Sequence, residues 1–294
     1  MQPIRIVTAA ITAGAVLVAV GFGGPPAGAA VTSRGAATGG GAATAAVLPR
    51  PDHVVILVEE NHAYSQINGT ASYLTSLADT GARFTQSFAL THPSQPNYLA
   101  LFSGSAQGVT SDSCPHTYSG ANQGSELIAA GLSFAGFSES MPSDGYTGCT
   151  SGAYARKHNP WVDFANVPAS ANLRLSRFPT DYTTLPTVSI VVPNLNNDMH
   201  DGSIATGDAW AKTTIDPYAQ WAKTHNSLLI VTFDEDDSAH GNQIFTVFYG
   251  QPVATGTYPE QVTHASVLAT IEGLYGIPCT ASACTTSAIT DTWQ

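Results

Sequence analysis

Three acidic stretches of this chain each follow a run of apolar residues, and together they could hold a divalent cation. They are residues 59–62, 193–201 and 234–237. Carboxylates gathered in one place without a lysine or arginine nearby repel one another, which raises some pKa values and destabilises the fold. A bound cation removes that repulsion. Oxygen-bearing side chains such as Glu60, Asn61, Asp234 and Glu235 suit a hard or borderline divalent ion better than a thiolate-seeking one.

Two simpler interpretations of these acidic stretches stay open. Residues 234–237 alone fit a solvated acidic loop or a purely structural calcium site as well as they fit a functional centre. No lysine or arginine follows Lys223, so the last part of the chain cannot neutralise its own carboxylates. The presence of two further polar stretches after apolar runs favours the functional cation site.

Ser94 is the candidate nucleophile. Pro93 and Pro96 restrict the backbone on either side of it, and the helical character of residues 98–101 places Ser94 at a helix N-terminus. Backbone N–H groups at such a position bind phosphate or another anion. A serine hydroxyl beside a metal ion can lose its proton near neutral pH and attack an electrophile. On this segment alone, an ordinary helix cap is the alternative.

The pattern from Asp52 onward predicts an α/β fold with a mostly parallel central sheet and helices on both faces. Apolar β-branched runs predict strands at residues 53–58, 187–192, 227–233 and 244–249. Helical patterns occur at residues 71–79, 98–101, 124–130, 207–223 and 266–275. Because the carboxyl ends of parallel strands lie along one edge of a sheet, we expect the three acidic stretches to converge there.

Composition and charge exclude several classes of protein. The 294 residues are 43% hydrophobic, which is enough for a substantial core and is not typical of a disordered chain. Twenty-one acidic against ten basic residues give a net charge of -11, which argues against nucleic acid as a partner and against a polybasic membrane anchor. The one dense basic group of the mature chain is residues 156–158. It could contact a substrate phosphate, but we favour a solvated surface patch.

The N-terminus has the organisation of an export signal. Arg5 precedes an apolar stretch, and Ala27-Gly28-Ala29 forms a small-residue cleavage site. We therefore predict a signal peptide over residues 1–29, a flexible Ala/Gly/Thr leader over residues 30–49 and one domain over residues 50–294. The protein is then secreted, with no stable membrane span after cleavage. A retained membrane anchor is the alternative, which the short and glycine-rich apolar run disfavours.

The four cysteines are even in number and have no zinc-type spacing, so export predicts two disulfides. Of the three pairings, we favour the one between sequence neighbours, Cys114 with Cys149 and Cys279 with Cys284. The first bond would fasten a loop-rich insertion that has few strong helix or strand signals.

Five segments resemble the motifs of one enzyme family and occur in the same order. They are Glu60-Asn61, residues 92–98 (H-P-S-x-P-N-Y), residues 197–202 (N-D-M-H-D-G), residues 232–237 (T-F-D-E-D-D) and residues 263–268 (T-H-A-S-V-L). On these motifs the chain is similar to the secreted acid phosphatase and phospholipase C type phosphoesterases of the alkaline phosphatase superfamily. The resemblance covers residues 53–277 and implies an alkaline-phosphatase-like fold.

The resemblance also implies roles for individual residues. The side chains that would hold a divalent metal ion of unknown identity are Glu60, Asn61, Asp234 and Glu235. Ser94 would be the covalent nucleophile, and Asp198, His200 and His264 would complete the catalytic site. One of the two histidines would protonate the leaving group, and the sequence does not decide between them.

The activity implied by the resemblance is that of an exported acid phosphatase. It would hydrolyse phosphate monoesters, phosphoinositides among them, through a metal-activated serine and a phosphoserine intermediate. The first alternative is a phospholipase C type phosphodiesterase. Residues 60–65 read E-N-H-A-Y-S where phospholipase C type members carry E-N-R-S-F-D, which weakens that alternative. The second alternative is a non-catalytic secreted cation-binding module.

Overall fold

The computed structural model describes residues 48–294. The predicted signal peptide, and the predicted leader up to residue 47, lie outside the described residues. Within the described part, no helix combines the length and apolar character needed to span a membrane.

The main structural element is an eight-stranded, mostly parallel sheet, which confirms the predicted fold class. The described residues form ten strands: β1 (His53–Glu59), β2 (Ala82–Phe88), β3 (Phe134–Ser138), β4 (Thr150–Ser151), β5 (Tyr154–Ala155), β6 (Asn172–Arg174), β7 (Val188–Val192), β8 (Ser227–Phe233), β9 (Thr246–Gly250) and β10 (Gly256–Thr263). The sheet order is β10-β2-β9-β8-β1-β7-β3-β6, and β4 pairs with β5 separately. Only β9 runs antiparallel to its neighbours in the large sheet.

The centre of the sheet is buried on both faces. Strand β1 lies between β7 and β8, and Leu57 is opposite Val191 on one side and Val231 on the other. Alternate residues of β1 enter two separate apolar cores: Val54 belongs to one, and Val55 belongs to the other. Continuous apolar, β-branched runs are the composition that such doubly covered strands require.

Helices cover both faces of the sheet. Residues 48–294 contain α1 (Tyr64–Ile67), α2 (Ser72–Thr80), α3 (Ser94–Ser103), α4 (Gln123–Ala129), α5 (Ile204–Thr214), α6 (Asp216–Ala222) and α7 (His264–Tyr275). Helices α3, α4 and α7 contribute to one core, and α2, α5 and α6 contribute to the other. The predicted single helix over residues 207–223 is two helices, because α5 ends at Thr214 and α6 begins at Asp216 with Pro217 in its first turn.

The segment expected to be a loop-rich insertion contributes a strand to the large sheet. Strand β3 is fully buried and pairs with β7 and β6 in parallel. Its sequence, F-A-G-F-S, is short and contains a glycine, so it gives a weak strand signal. Gly136 leaves room for the indole ring of Trp161, which packs directly over the position that a Cβ atom would take.

Both predicted disulfides are confirmed. Cys114 bonds to Cys149 and Cys279 bonds to Cys284. The first bond joins the loop that follows α3 to the β4–β5 region, and the second closes a short loop after α7.

Candidate functional site

The three acidic stretches meet at the carboxyl edge of β1, β7 and β8. The backbone N–H of Glu60 donates to the carbonyl oxygen of Asp198 at 2.8 Å, which joins the first stretch to the second. The backbone N–H of Asp234 donates to the carbonyl oxygen of Glu59 at 2.9 Å. The backbone N–H of Asn61 in turn donates to Asp234 Oδ1 at 3.0 Å. Segments far apart in the sequence therefore form one site, as parallel strand order requires.

Ser94 lies inside this acidic site. Pro93 is the N-cap of α3 and Ser94 is the first helical residue, with no side-chain cap at this end. The hydroxyl of Ser94 instead donates to Glu60 Oε2 at 3.0 Å and lies 3.5 Å from Glu235 Oε1. All three residues are buried. The interpretation of Ser94 as an ordinary helix cap is therefore wrong.

Asn97 holds the loop that carries Ser94. Its Oδ1 accepts hydrogen bonds from the backbone N–H groups of Leu90 and Thr91. Its Nδ2 donates to the carbonyl oxygen of Pro93 and, at 3.2 Å, to Glu235 Oε2. One buried amide thus fixes the turn before α3 and orients an acidic side chain of the site.

The structure adds His158 to the site, a residue that the sequence analysis left among the basic cluster. His158 Nε2 lies 3.1 Å from Glu60 Oε1, and its Nδ1 lies 3.4 Å from Asp198 Oδ2. Its ring stacks on Tyr98, whose hydroxyl donates to Glu60 Oε1 at 2.5 Å. In the sequence, His158 was noted only because it follows Arg156 and Lys157, and that basic grouping predicted a solvated patch rather than a site residue.

The expectation that residues 156–158 form a solvated patch is wrong. These residues form a single 3-10 turn that directs the three side chains to three places. Arg156 makes a buried ion pair with Asp163 at 2.7 Å. Lys157 Nζ lies 2.8 Å from Asp112 Oδ2 and 3.4 Å from His200 Nε2. A lysine therefore stands beside the acidic site, contrary to the assumption that no cation from the chain comes near it.

The two candidate acid histidines occupy different environments. His200 is 29% exposed at its side chain, and its Nδ1 lies 2.7 Å from Asp201 Oδ1. Asp198 Oδ1 accepts from the backbone N–H of His200 at 2.8 Å. His264 is buried, and its Nε2 donates to the carbonyl oxygen of Asp234 at 2.7 Å. Burial lowers the pKa of His264 to about 4, so this ring is neutral and positions the main chain.

The carboxylates of the site hold protons more tightly than exposed ones. Burial raises the pKa of Asp198 to about 7 and that of Asp234 to about 6. Burial, followed by the charge of Asp234, raises the pKa of Glu235 to about 8 and that of Glu60 well above its usual range. Burial is therefore the main cause, and the predicted repulsion between gathered carboxylates adds to it at Glu60 and Glu235.

The polar atoms of the site fit a divalent cation. Buried atoms without a hydrogen-bond partner include Asn61 Oδ1, Asp234 Oδ2, Asp198 Oδ2 and His158 Nε2. Burial, together with the charges of Lys157 and His200, lowers the pKa of His158, so its ring is neutral and carries one N–H. It can donate to only one of its two carboxylate neighbours and presents a lone pair to the other. The ligand atoms of Glu60, His158 and Asp198 lie within 4.8 Å of one another, a spacing that one ion can bridge.

The chain is similar to a known protein family and to named phosphatases. Residues 70–278 match the Phosphoesterase family. The chain is 53% identical over 255 residues to a phosphatidylinositol-3-phosphatase of Mycobacterium tuberculosis, with 85% of each protein covered. The chain belongs to the Phosphoesterase family. The predicted family membership, and with it the prediction of an enzyme acting on phosphate esters, is confirmed.

This phosphoesterase is also similar to a fungal acid phosphatase and to a solved structure of low sequence identity. It is 31% identical to a phosphate-repressible acid phosphatase of Penicillium chrysogenum, and the match covers 70% of the chain but only 54% of the fungal protein. A solved structure from Vibrio parahaemolyticus, described as a protein in the alkaline phosphatase superfamily, superposes with a TM-score of 0.59 at 13% identity. The superposition covers 83% of this chain and 72% of that structure and confirms the alkaline-phosphatase-like fold.

Proposed function

We propose that this phosphoesterase is a metal-dependent phosphatase that hydrolyses phosphate monoesters through a phosphoserine at Ser94. The observation that carries the proposal is the 3.0 Å hydrogen bond from the Ser94 hydroxyl to Glu60, at the first turn of a buried helix. The names of the mycobacterial phosphatidylinositol-3-phosphatase and of the fungal acid phosphatase support the same substrate class.

The first chemical step transfers the phosphoryl group to the protein. Ser94 Oγ attacks phosphorus from the side opposite the ester oxygen. The bond between Oγ and phosphorus forms while the bond between phosphorus and the ester oxygen breaks. Glu60 Oε2 accepts the Ser94 hydrogen at 3.0 Å and its Oε1 accepts that of Tyr98, so the Ser94 hydroxyl already faces an ionised carboxylate that can take its proton. The proton of Ser94 therefore moves to Glu60.

A metal ion in this site would stabilise negative charge on the serine oxygen and the phosphoryl oxygens. The residues that would hold it are Glu60, Asn61, Asp234 and Glu235, with His158 and Asp198 alongside. The buried, unpartnered atoms Asn61 Oδ1 and Asp234 Oδ2 support this ligand set.

His200 is the better candidate for the general acid. Its accessible ring can give a proton to the departing alkoxide and then take one from the water that hydrolyses the phosphoserine. Asp198 binds the His200 main chain and holds this segment against the site. His264, neutral and bonded to the Asp234 carbonyl, is a positioning residue in this scheme.

The proposal extends to substrate and cellular location. Phosphoinositide monoesters are proposed as a substrate class because of the relative that is named for phosphatidylinositol 3-phosphate. Secretion is proposed from the signal-like residues 1–29, with residues 50–294 as the phosphoesterase domain. N-terminal sequencing of the exported protein would find a start at residue 30, and a start at residue 1 would contradict this.

A substrate panel tests the proposed activity. The protein, stripped with a chelator and reloaded with single divalent ions, should hydrolyse p-nitrophenyl phosphate and a phosphoinositide faster than bis(p-nitrophenyl) phosphate. Ser94→Ala should abolish this turnover, whereas Ser103→Ala, a buried serine of the same helix that bonds only main-chain oxygen and Gln107, should retain it. Preference for the diester would favour the phosphodiesterase alternative, and unchanged turnover in Ser94→Ala would discard the nucleophile.

A further inference from the structure

The carboxylate of Asp112 lies across the first turn of α3, next to the nucleophile. Its Oδ1 accepts from the backbone N–H of Gln95 at 3.0 Å, and its Oδ2 accepts from Lys157 Nζ at 2.8 Å. Gln95 directly follows Ser94. Asp112 therefore binds a main-chain donor at a helix N-terminus and a lysine cation, which are the donors that a phosphate group uses.

Lys157 belongs to the acidic site rather than to the surface. Its side chain is only 17% exposed, and its Nζ also lies 3.4 Å from His200 Nε2. Its positive charge lowers the pKa values of Glu60 and Glu235 against the effect of burial. A cation in this place would otherwise attract a substrate anion toward Ser94.

Asp112 can leave its position without breaking a helix or a strand. In the described structure, no hydrogen bond joins main-chain groups of residues 110–117 to other main-chain groups. The segment is held by the Cys114–Cys149 bond and by Arg156, whose guanidinium donates to the carbonyl oxygen of His116 at 3.0 Å. The Asp112 side chain is 31% exposed, so a ligand from solvent can compete for its partners.

We propose that the Gln95 N–H and Lys157 Nζ form a subsite for the phosphoryl oxygens of the substrate, and that Asp112 fills this subsite until substrate displaces it. The inference rests on the proposed phosphatase function and names the residues that recognise the substrate anion. A phosphate dianion carries more charge and more acceptor oxygens than one carboxylate, so it competes well for the same donors.

Substitutions of both partners test the subsite. Asp112→Ala should lower the KM for p-nitrophenyl phosphate about fivefold and leave kcat within about twofold, because it removes a competing anion. Lys157→Gln should raise the KM about tenfold, because it removes the charged donor. In the double variant, Asp112→Ala should lower the KM by a smaller factor than it does in the wild-type background. Asp52→Ala and Lys212→Gln are charge-matched controls at exposed positions outside the site.

Binding of inorganic phosphate gives a readout that is independent of turnover. Calorimetry on the metal-loaded protein should find tighter phosphate binding in Asp112→Ala and weaker binding in Lys157→Gln than in the wild type. If Asp112 only braces its loop, Asp112→Ala will lower the melting temperature with no change in KM or phosphate affinity, and the proposal is overturned. If the wild type hydrolyses no phosphate ester, the proposed function fails, while the phosphate-binding comparison still decides the subsite.

Discussion

The Ser94 hydroxyl belongs to a network of buried hydrogen bonds. Glu60 accepts its hydrogen, and Asn97 fixes both the loop before it and the Glu235 side chain. His264 anchors the main chain at Asp234 without contributing a charge. Because each of these groups is buried and hydrogen-bonded, the proposed nucleophile is oriented in the absence of substrate, which is the arrangement that lowers the cost of reaching a transition state.

Substitutions of His200 and His264 should affect kcat differently when the leaving group of the substrate is changed. His200→Gln should lower kcat roughly 100-fold for glycerol phosphate, whose alkoxide needs a proton, and by less than about fivefold for p-nitrophenyl phosphate, whose phenolate leaves without one. His264→Gln should lower kcat for both substrates by the same factor, since it disturbs the Asp234 main chain. Steady-state kinetics with the two substrates measure this, and an equal loss for both in His200→Gln would contradict its role.

The acidic part of the candidate site could be predicted from the sequence because its carboxylates stand at strand ends. Glu60, Asp234 and Glu235 directly follow strong apolar runs, so their convergence follows from the sheet. His158 could not be found in this way, because a short turn directs three adjacent side chains to different places and only the tertiary structure shows where each one points. Asp112 lies in an irregular loop, where the sequence gives no spatial information.

Helix α3 carries the proposed nucleophile, Ser94, at its first residue. All ten of its residues are buried, and the helix packs against α7, α4 and the two 3-10 turns at residues 156–158 and 160–163. The helix ends at Gly104, which has a φ of 67° and closes against the loop at Thr280, where a side chain would clash with the backbone. A helix enclosed in this way cannot shift its N-terminus easily, so Ser94 keeps its place.

Strand β3 depends on the absence of a side chain at Gly136. Gly136→Ala should destabilise the protein by about 3 kcal/mol, because a Cβ atom there would overlap the buried ring of Trp161. Urea unfolding followed by tryptophan fluorescence measures the change. Gly120→Ala is the matched control, since a Cβ atom there has no neighbour within 4 Å. Equal stabilities for the two variants would show that Trp161 does not pack on β3 as described.

Element boundaries could be predicted from the sequence where one pattern dominates. The apolar run over Ser227–Phe233 is the observed β8, and residues 266–275 fall within α7. Strand β10 was not predicted, because it is a half-exposed edge strand that contains Pro259. Strand β3 is too short for a clear pattern, and its packing depends on a tryptophan from another segment.

Buried carboxyl groups link the folding of the protein to pH. Outside the site, Glu272 of α7 is buried, and its Oε1 accepts from the backbone N–H of Thr280 at 2.8 Å. Burial raises its pKa from 4.5 to about 7. The folded protein therefore holds a proton that the unfolded chain has lost, and the free energy of unfolding falls as pH rises between about 4.5 and 7.

Replacement of Glu272 should flatten this dependence. Between pH 5 and pH 7.5, Glu272→Gln should lose about 1 to 2 kcal/mol less stability than the wild type, because the glutamine keeps the acceptor for Thr280 and has no proton to release. Chemical denaturation at several pH values measures the slope, with the exposed Asp52→Asn as control. Parallel stability curves for wild type and Glu272→Gln would contradict the assignment.

The identity of the residue that becomes phosphorylated during turnover tests the proposed mechanism most directly. Metal-loaded protein is mixed with a labelled phosphate monoester, quenched in acid within one turnover, digested and mapped by mass spectrometry. We predict a phosphate on Ser94 in the wild type and none in Ser94→Ala. A phosphate on another residue, or full turnover in Ser94→Ala, would contradict it.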